Sequence, residues 1–158
     1  MSLLPFFEWC ENAELIVAMR SSLWLFPVIE SLHLIGLALL GGALLVVDIR
    51  LLGFGMRRQP VAILARDAER WLIGSLCVML PTGLLLFMSS AVKCYYLPVF
   101  WVKMATLLVA LVFTFSIRRR VAMAVETGVH PGRARVVGSA SISLWLIVAI
   151  AGRFVGLP

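Results

Sequence analysis

Four long apolar runs constrain this chain more than anything else in it. They lie at about 22–54, 71–91, 98–117 and 136–156, and each ends in basic, polar or aromatic residues. A helix needs roughly 20 apolar residues to cross the hydrocarbon of a bilayer. With 158 residues, 62% of them hydrophobic and 14% charged, the chain has room for four such helices and no separate soluble domain. The reading is an all-α integral membrane four-helix bundle, with residues 1–158 forming one transmembrane domain. Any function must reside in the bundle or its outer loops.

The segment before the first run, about 3–19, carries Glu8, Glu11 and Glu14 beside Phe7, Cys10 and Leu15. Acids at three-residue spacing next to apolar side chains predict an amphipathic helix lying at the membrane interface. A cleavable signal peptide is excluded, because the segment lacks a basic leader. Its position would let it cover the mouth of the bundle, but nothing else in it points to gating, and simple anchoring of the N-terminus is the favoured reading.

Charge then sorts the loops by side. Arg50, Arg57, Arg58, Arg66, Arg70, Arg118, Arg119, Arg120, Arg133 and Arg135 fall at one end of the predicted spans, against Asp48, Asp67, Glu69 and Glu126. That end carries the whole net charge of +6, while acids and bases cancel at the other. The positive-inside rule makes the basic end cytoplasmic, which predicts a multi-pass protein of a bacterial inner membrane with both termini periplasmic. Trp9, Trp24, Phe26, Tyr95, Tyr96, Phe100 and Trp101 fall together at the opposite boundary, as an aromatic belt does. Basic residues that flank spans act on topology, so the lipid bilayer is the expected partner and nucleic acid is not. Cys10, Cys77 and Cys94 form no CxxC motif. Cys10 and Cys94 share the outer, oxidising side, where either a disulfide or two free thiols is consistent with the sequence.

Inside the first run, IESLHLIGLALLGG places Glu30 and His33 in hydrocarbon, one helical turn apart. On a wheel of about 100° per residue, Glu30, Gly36, Leu40, Gly41, Leu44 and Asp48 all fall within about 80° of His33. That polar, small-residue stripe is expected to face the bundle interior. Lys103 shares a face with Thr106, Ala110 and Thr114, and Arg153 with Ala149, Ile142 and Ser139. An acid, an imidazole and two cations thus come to one level in the outer half of the membrane. Lys103 and Arg153 are near enough to helix ends to snorkel, and Glu30 has a structural use as an ion-pair partner. A midspan histidine can do neither, and ionisable residues at membrane depth mark functional sites. Pro81, followed by Thr82 and Gly83, predicts a kink in the second span. His130, beside Pro131 and Gly132, reads as a turn residue. Asp48 with Arg50 and the RDAER segment reads as a salt-bridged inner rim.

The segment SSLWLFPVIESLHLIGLALLGGALLVVDIRLLG, with YYLPVFWVKMATLLVAL after it, resembles a bacterial family of small four-span proteins classed as a domain of unknown function. That resemblance covers essentially the whole chain and implies fold and membrane placement. More distantly, the first-span His followed by glycines and the third-span Lys are similar to HemJ-type protoporphyrinogen oxidases and to the membrane domain of CopD-like proteins. The HemJ-type resemblance implies haem b, with His33 and Lys103 as the matching residues.

Three readings follow. In the first, the bundle is a haem-binding redox or porphyrin-related protein in which His33 is the axial iron ligand. Its second ring nitrogen would donate to Glu30 or a backbone carbonyl. Lys103 and Arg153 would meet the propionates, and Gly36, Gly41 and Gly42 would admit the macrocycle. The sixth position would be open or filled by Met79, Met88, Met104 or Lys103, because no second histidine lies in a span. In the second reading, Glu30, His33 and Lys103 bind a proton, metal ion or small anion for transport. In the third, the chain is a non-catalytic accessory or assembly subunit whose polar network fixes helix register. Each admits a homo-oligomer or a membrane redox partner.

Overall fold

The computed structural model describes residues 3–55 and 59–155. Arg57, Arg58, the side chain of Glu126 and the expected end of the fourth span at 156 lie outside the described residues.

Two short helices lead the chain, α1 (Leu4–Glu11) and α2 (Glu14–Ser21). The long α3 (Leu25–Leu51) and α4 (Val61–Met88) follow, then the short α5 (Ala91–Tyr96). Next comes α6 (Pro98–Phe113), which runs through a π-helical turn at Thr114–Arg118 into α7 (Arg119–Ala124). The last element is α8 (Pro131–Val155), and no strand occurs among the described residues. Four stretches are long and apolar enough to cross a membrane: α3, α4, Pro98–Ala124 and α8. The chain is therefore a multi-pass membrane protein built as a helical bundle.

The helices begin and end where local chemistry requires. Ser22 Oγ accepts the backbone N–H groups of Trp24 and Leu25 at 3.4 and 3.3 Å, so α3 starts three residues later than the apolar run. It stops at Leu51 because Gly53 and Gly55 take φ of +91° and +68°, which glycine adopts without steric cost. The second span starts at Val61, ten residues before its apolar run. Val61, Ala65, Ala68 and Leu72 make a buried stripe at helical spacing, with Arg66, Asp67 and Arg70 exposed around it. Falling hydropathy marked where this helix leaves hydrocarbon, not where it ends. The segment expected as one interfacial helix is instead two, broken at Asn12 and Ala13, where Asn12 Nδ2 donates back to Glu8 O at 2.9 Å.

α3 packs most extensively on α4, and α6 on α8, and α3 joins the two pairs along α8. In lipid, apolar side chains gain little by leaving one hydrocarbon for another, so close packing and interhelical hydrogen bonds carry more of the association. Gly138 shows the packing term: a Cβ there would stand 3.0 Å from Asp48 O and 3.1 Å from Leu51 Cβ. Val47, Leu51, Val61, Ala65, Ala68, Val121, Ala122, Ala134 and Val137 form the apolar core at the basic end of the bundle. At the other end, Phe7 and Cys10 of α1 pack on Ala91 of α5, with Phe87 and Tyr95 around them. Phe7 meets both Phe87 and Tyr95 edge-on, with ring centroids 5.6 and 5.2 Å apart.

Candidate functional site

His33 is half-buried on the α3 face that meets α4. Its Nδ1 lies 3.0 Å from Thr82 Oγ1. The threonine sits directly after Pro81, the proline inside α4, and its hydroxyl donates to Val78 O at 2.7 Å, with Met79 O at 3.3 Å. A hydroxyl has one hydrogen to give. With that hydrogen turned to the carbonyls of its own helix, Thr82 accepts from His33, so Nδ1 carries the ring proton. The hydrogen-bond inventory thereby assigns the neutral ring a lone pair on Nε2.

Gly83 makes this contact sterically feasible, since a Cβ there would lie 3.0 Å from His33 Cε1. On the facing helix Gly36 is matched to Met79, whose Cγ is 2.8 Å from the Cβ position. The notches at Gly36 and Gly83 are thus filled by Met79 and His33, whereas a Cβ on Gly41 or Gly42 would have nothing within 4 Å. Gly36 serves the α3–α4 seam rather than standing open for a macrocycle.

Lys103, on the first turns of α6, is half-buried, with its Nζ 3.7 Å from the Cβ position of Gly152 on α8. Its charge acts on both the His33 ring and the Cys94 thiol. The other two residues of the expected quartet do not join it. Glu30 and Arg153 are both exposed, and neither takes part in an ion pair among the described residues. The buried face of α8 runs instead through Ala134, Val137, Gly138, Ser141, Val148 and Ala151. Of the partners expected for the second ring nitrogen of His33, Glu30 is exposed, whereas a backbone carbonyl, that of Met79, does interact with the ring, and Thr82 joins it. The PTG triplet at 81–83 was the sequence signal for it.

The end of the bundle opposite the basic loops is covered by the N-terminal helices. Glu11 Oε2 accepts the Val92 N–H of α5 at 2.9 Å, and its Oε1 pairs with Arg20 Nη1 at 3.0 Å. Arg20 also reaches Ser89 O at 3.4 Å, so α1 and α2 are both tied to the end of α4 and the start of α5. Cys10 and Cys94 are buried as free thiols. Burial pushes the Cys94 thiol up from its ordinary value, against the opposing pull of Lys103 and Lys93.

A second polar cluster, at the basic end, was not expected in this form. Asp48 is 1% exposed and pairs with Arg118, 4% exposed, and not with Arg50. Arg118 Nε donates to Asp48 Oδ1 at 2.5 Å, Arg118 Nη2 to Leu44 O at 3.0 Å, and Ser141 Oγ to Asp48 Oδ2 at 2.7 Å. One turn away Trp145 Nε1 donates to Thr114 Oγ1 at 3.0 Å. Arg118 closes the π-helical turn, a feature that inserts one residue into the helical repeat. His130 stays in the turn before α8, where its Nδ1 accepts the Gly132 N–H at 3.2 Å. Among the described residues, no three His, Cys, Asp or Glu side chains gather as a metal-holding group.

The chain belongs to a family of unknown function, DUF6644, which matches residues 6–158. Neither a curated protein nor a solved structure matches it.

Proposed function

We propose that the outer half of the bundle is a haem b site of a bacterial inner-membrane redox or porphyrin-related protein, in which His33 Nε2 would hold the iron. The observation that carries this reading is the hydrogen bond from His33 Nδ1 to Thr82. Ligating histidines need one unprotonated nitrogen, and the partner of the other nitrogen fixes tautomer and ring orientation. The donor chemistry therefore fits the group: a single neutral imidazole at membrane depth, held by a hydroxyl from a facing helix. Haem, when bound, would supply one-electron chemistry. His33 would hold it, Thr82 would orient His33, and Lys103 would offer a cation to a propionate or a nitrogen to the iron. Glu30 and Arg153, both exposed, are better placed to meet headgroups than a buried cofactor. The α1, α2 and α5 cover would limit water access from the periplasmic side, where both termini are proposed to lie.

The test is the visible spectrum of the purified protein after expression with ample haem, oxidised and dithionite-reduced. The expected result is a Soret band in the wild type that is lost or shifted in His33→Ala. Absence of a Soret band, or an unaltered spectrum in that variant, overturns the reading.

The buried Asp48, Arg118 and Ser141 cluster favours a second reading, a non-catalytic accessory subunit whose polar contacts fix helix register. On that account His33→Asn leaves partner binding and phenotype untouched.

A further inference from the structure

Glu30 and Arg153 enter no ion pair among the described residues, yet they flank the same seam of the bundle. Five helical turns separate Glu30 from Asp48, so both leave α3 on one side. Asp48 accepts from Ser141 Oγ there, which makes it the side of α8. On α8, Arg153 falls about 60° around the helix from Gly138, the residue that abuts α3 at Asp48 O. The two charges share a level as well. Lys103 acts on His33 and stands 3.7 Å from the Cβ position of Gly152, and Glu30 lies one turn before His33 while Arg153 follows Gly152. An acid and a base thus lie on one exposed surface, at one depth, without joining. A headgroup reaches Arg153 readily, but Glu30 stands about 9 Å further along its helix than the boundary residue Trp24 and has a shorter side chain. A carboxylate turned to lipid at that depth is costly and calls for a cationic partner.

We infer that the protein forms a symmetric homodimer through its α3–α8 face, with Glu30 of each copy paired to Arg153 of the other. Because α3 and α8 are neighbours, a two-fold axis along the membrane normal lays each of them on the opposite helix of the second copy. Both pairs then form at once, and no charge is left over. The surfaces behind the charges agree with this register. Leu34, Ala38 and Leu45 continue the exposed face of α3 from Glu30, and Ile150, Leu146 and Ser139 continue that of α8 from Arg153. As first and fourth spans the two helices run antiparallel. With Glu30 set against Arg153 of the second copy, equal rise brings Ala38 against Leu146 and Leu45 against Ser139, small against large each time. Helices in lipid associate through close packing of this kind. The contact involves neither His33 nor any ligand held there.

Two differently tagged full-length chains in one membrane test this, one carrying Glu30→Cys and the other Arg153→Cys, both with the exposed Cys77 changed to Ser. A short bis-maleimide is expected to join the two tags in one dimer band, which only a contact between copies can produce. Dilution of the detergent-purified protein, followed by light scattering, gives the strength of the contact. Glu30→Arg and Arg153→Glu should each raise the dimer dissociation constant at least about tenfold, since each sets like charges opposite one another. The two reversals combined in one chain restore the attraction and should return the constant toward the wild-type value. Both residues are exposed, so the reversals spare the packed interior, and recovery in the double variant verifies it. A monomer at every concentration, no band joining the tags, or a double reversal as weak as the single ones overturns the proposal. Glu30 would then be served by a headgroup amine or by another protein.

Discussion

Asp48 and Arg118 meet across 70 residues of sequence, in the packed interior between α3 and the π-helical turn of the third span. Both carboxylate oxygens are taken, one by Arg118 and one by Ser141, and Arg118 also satisfies the Leu44 carbonyl. Desolvating two charges is costly, and only this full set of hydrogen bonds offsets it. Removing one partner strands the other. Asp48→Asn or Arg118→Gln should each destabilise the bundle by about 3–5 kcal/mol. Replacing the pair together, Asp48→Leu with Arg118→Met, should recover most of that loss. Unfolding midpoints in a detergent titration check this. Equal loss in the double replacement and in the single ones would mean that the charges matter for something besides their own pairing.

Thr82 makes a separable claim about His33. Thr82→Val keeps the β-branched shape but removes the oxygen that accepts the His33 Nδ1 proton. The ring then keeps only the Met79 carbonyl as a partner, and a ligand on Nε2 should bind more weakly, by up to about 10–100-fold, the usual consequence of losing the group that orients a ligating histidine. Thr82→Ser restores the acceptor and should behave as wild type. Nitrogen chemical shifts of labelled His33 read the tautomer whether or not any ligand is present. A wild-type spectrum showing protonated Nε2 and bare Nδ1 would refute the assignment.

The contrast between these two sites says what a sequence can reveal in a membrane bundle. Two titratable residues in an apolar run identified α3 as the polar helix without any structure, because burial of such groups is costly and therefore informative. Lys103 was legible for the same reason. Thr82 was visible only as part of a proline kink, because a lone threonine in hydrocarbon can satisfy itself on its own helix, as this one does at Val78. Arg118 was read as the end of a span, since three consecutive arginines look like a cytoplasmic boundary. A buried carboxylate 70 residues away reverses that meaning. The exposure of Glu30 and Arg153 has a further cause: a helix in lipid is apolar all round, so a wheel finds a polar stripe but not the direction it faces.

Cys94 offers a chemical test of the N-terminal cover. Its thiol is buried under α1, and burial holds its pKa above the ordinary value, so less thiolate is present at any pH near neutrality than in an open cysteine. Alkylation by iodoacetamide at pH 8 should be slow in the intact bundle and fast in dodecyl sulfate. Glu11→Ala removes both the acceptor of the Val92 N–H and the partner of Arg20, and should accelerate Cys94 modification without unfolding the spans. Mass spectrometry of the peptides separates Cys94 from Cys77, which is exposed on α4. Rapid labelling of Cys94 in the wild type would show that the α1 and α2 cover opens readily.

Glycines of this bundle should divide by what stands opposite them, and that division tests the packing between the two helix pairs. At Gly138 an added Cβ meets backbone, Asp48 O at 3.0 Å, and Leu51 Cβ at 3.1 Å, neither of which can rotate away. Gly138→Ala must therefore push α8 from α3, at a cost of about 1–3 kcal/mol for overpacking. The same displacement would lengthen the Ser141 hydrogen bond to Asp48, so the variant should also weaken the response to Asp48→Asn. At Gly41 and Gly74 nothing lies within 4 Å of the new methyl. Alanine there meets no clash and favours helix over glycine by about 1 kcal/mol, so Gly41→Ala and Gly74→Ala should be neutral or stabilising. Gly36 falls between, because its neighbour at 2.8 Å is Met79 Cγ, part of an unbranched side chain that can re-pack. Unfolding midpoints that rank Gly138→Ala lowest, Gly36→Ala next and Gly41→Ala highest would establish the α3–α8 contact as the tightest backbone approach of the three. A Gly138→Ala variant as stable as Gly41→Ala would mean that the two helix pairs do not meet as closely as Asp48 and Gly138 require.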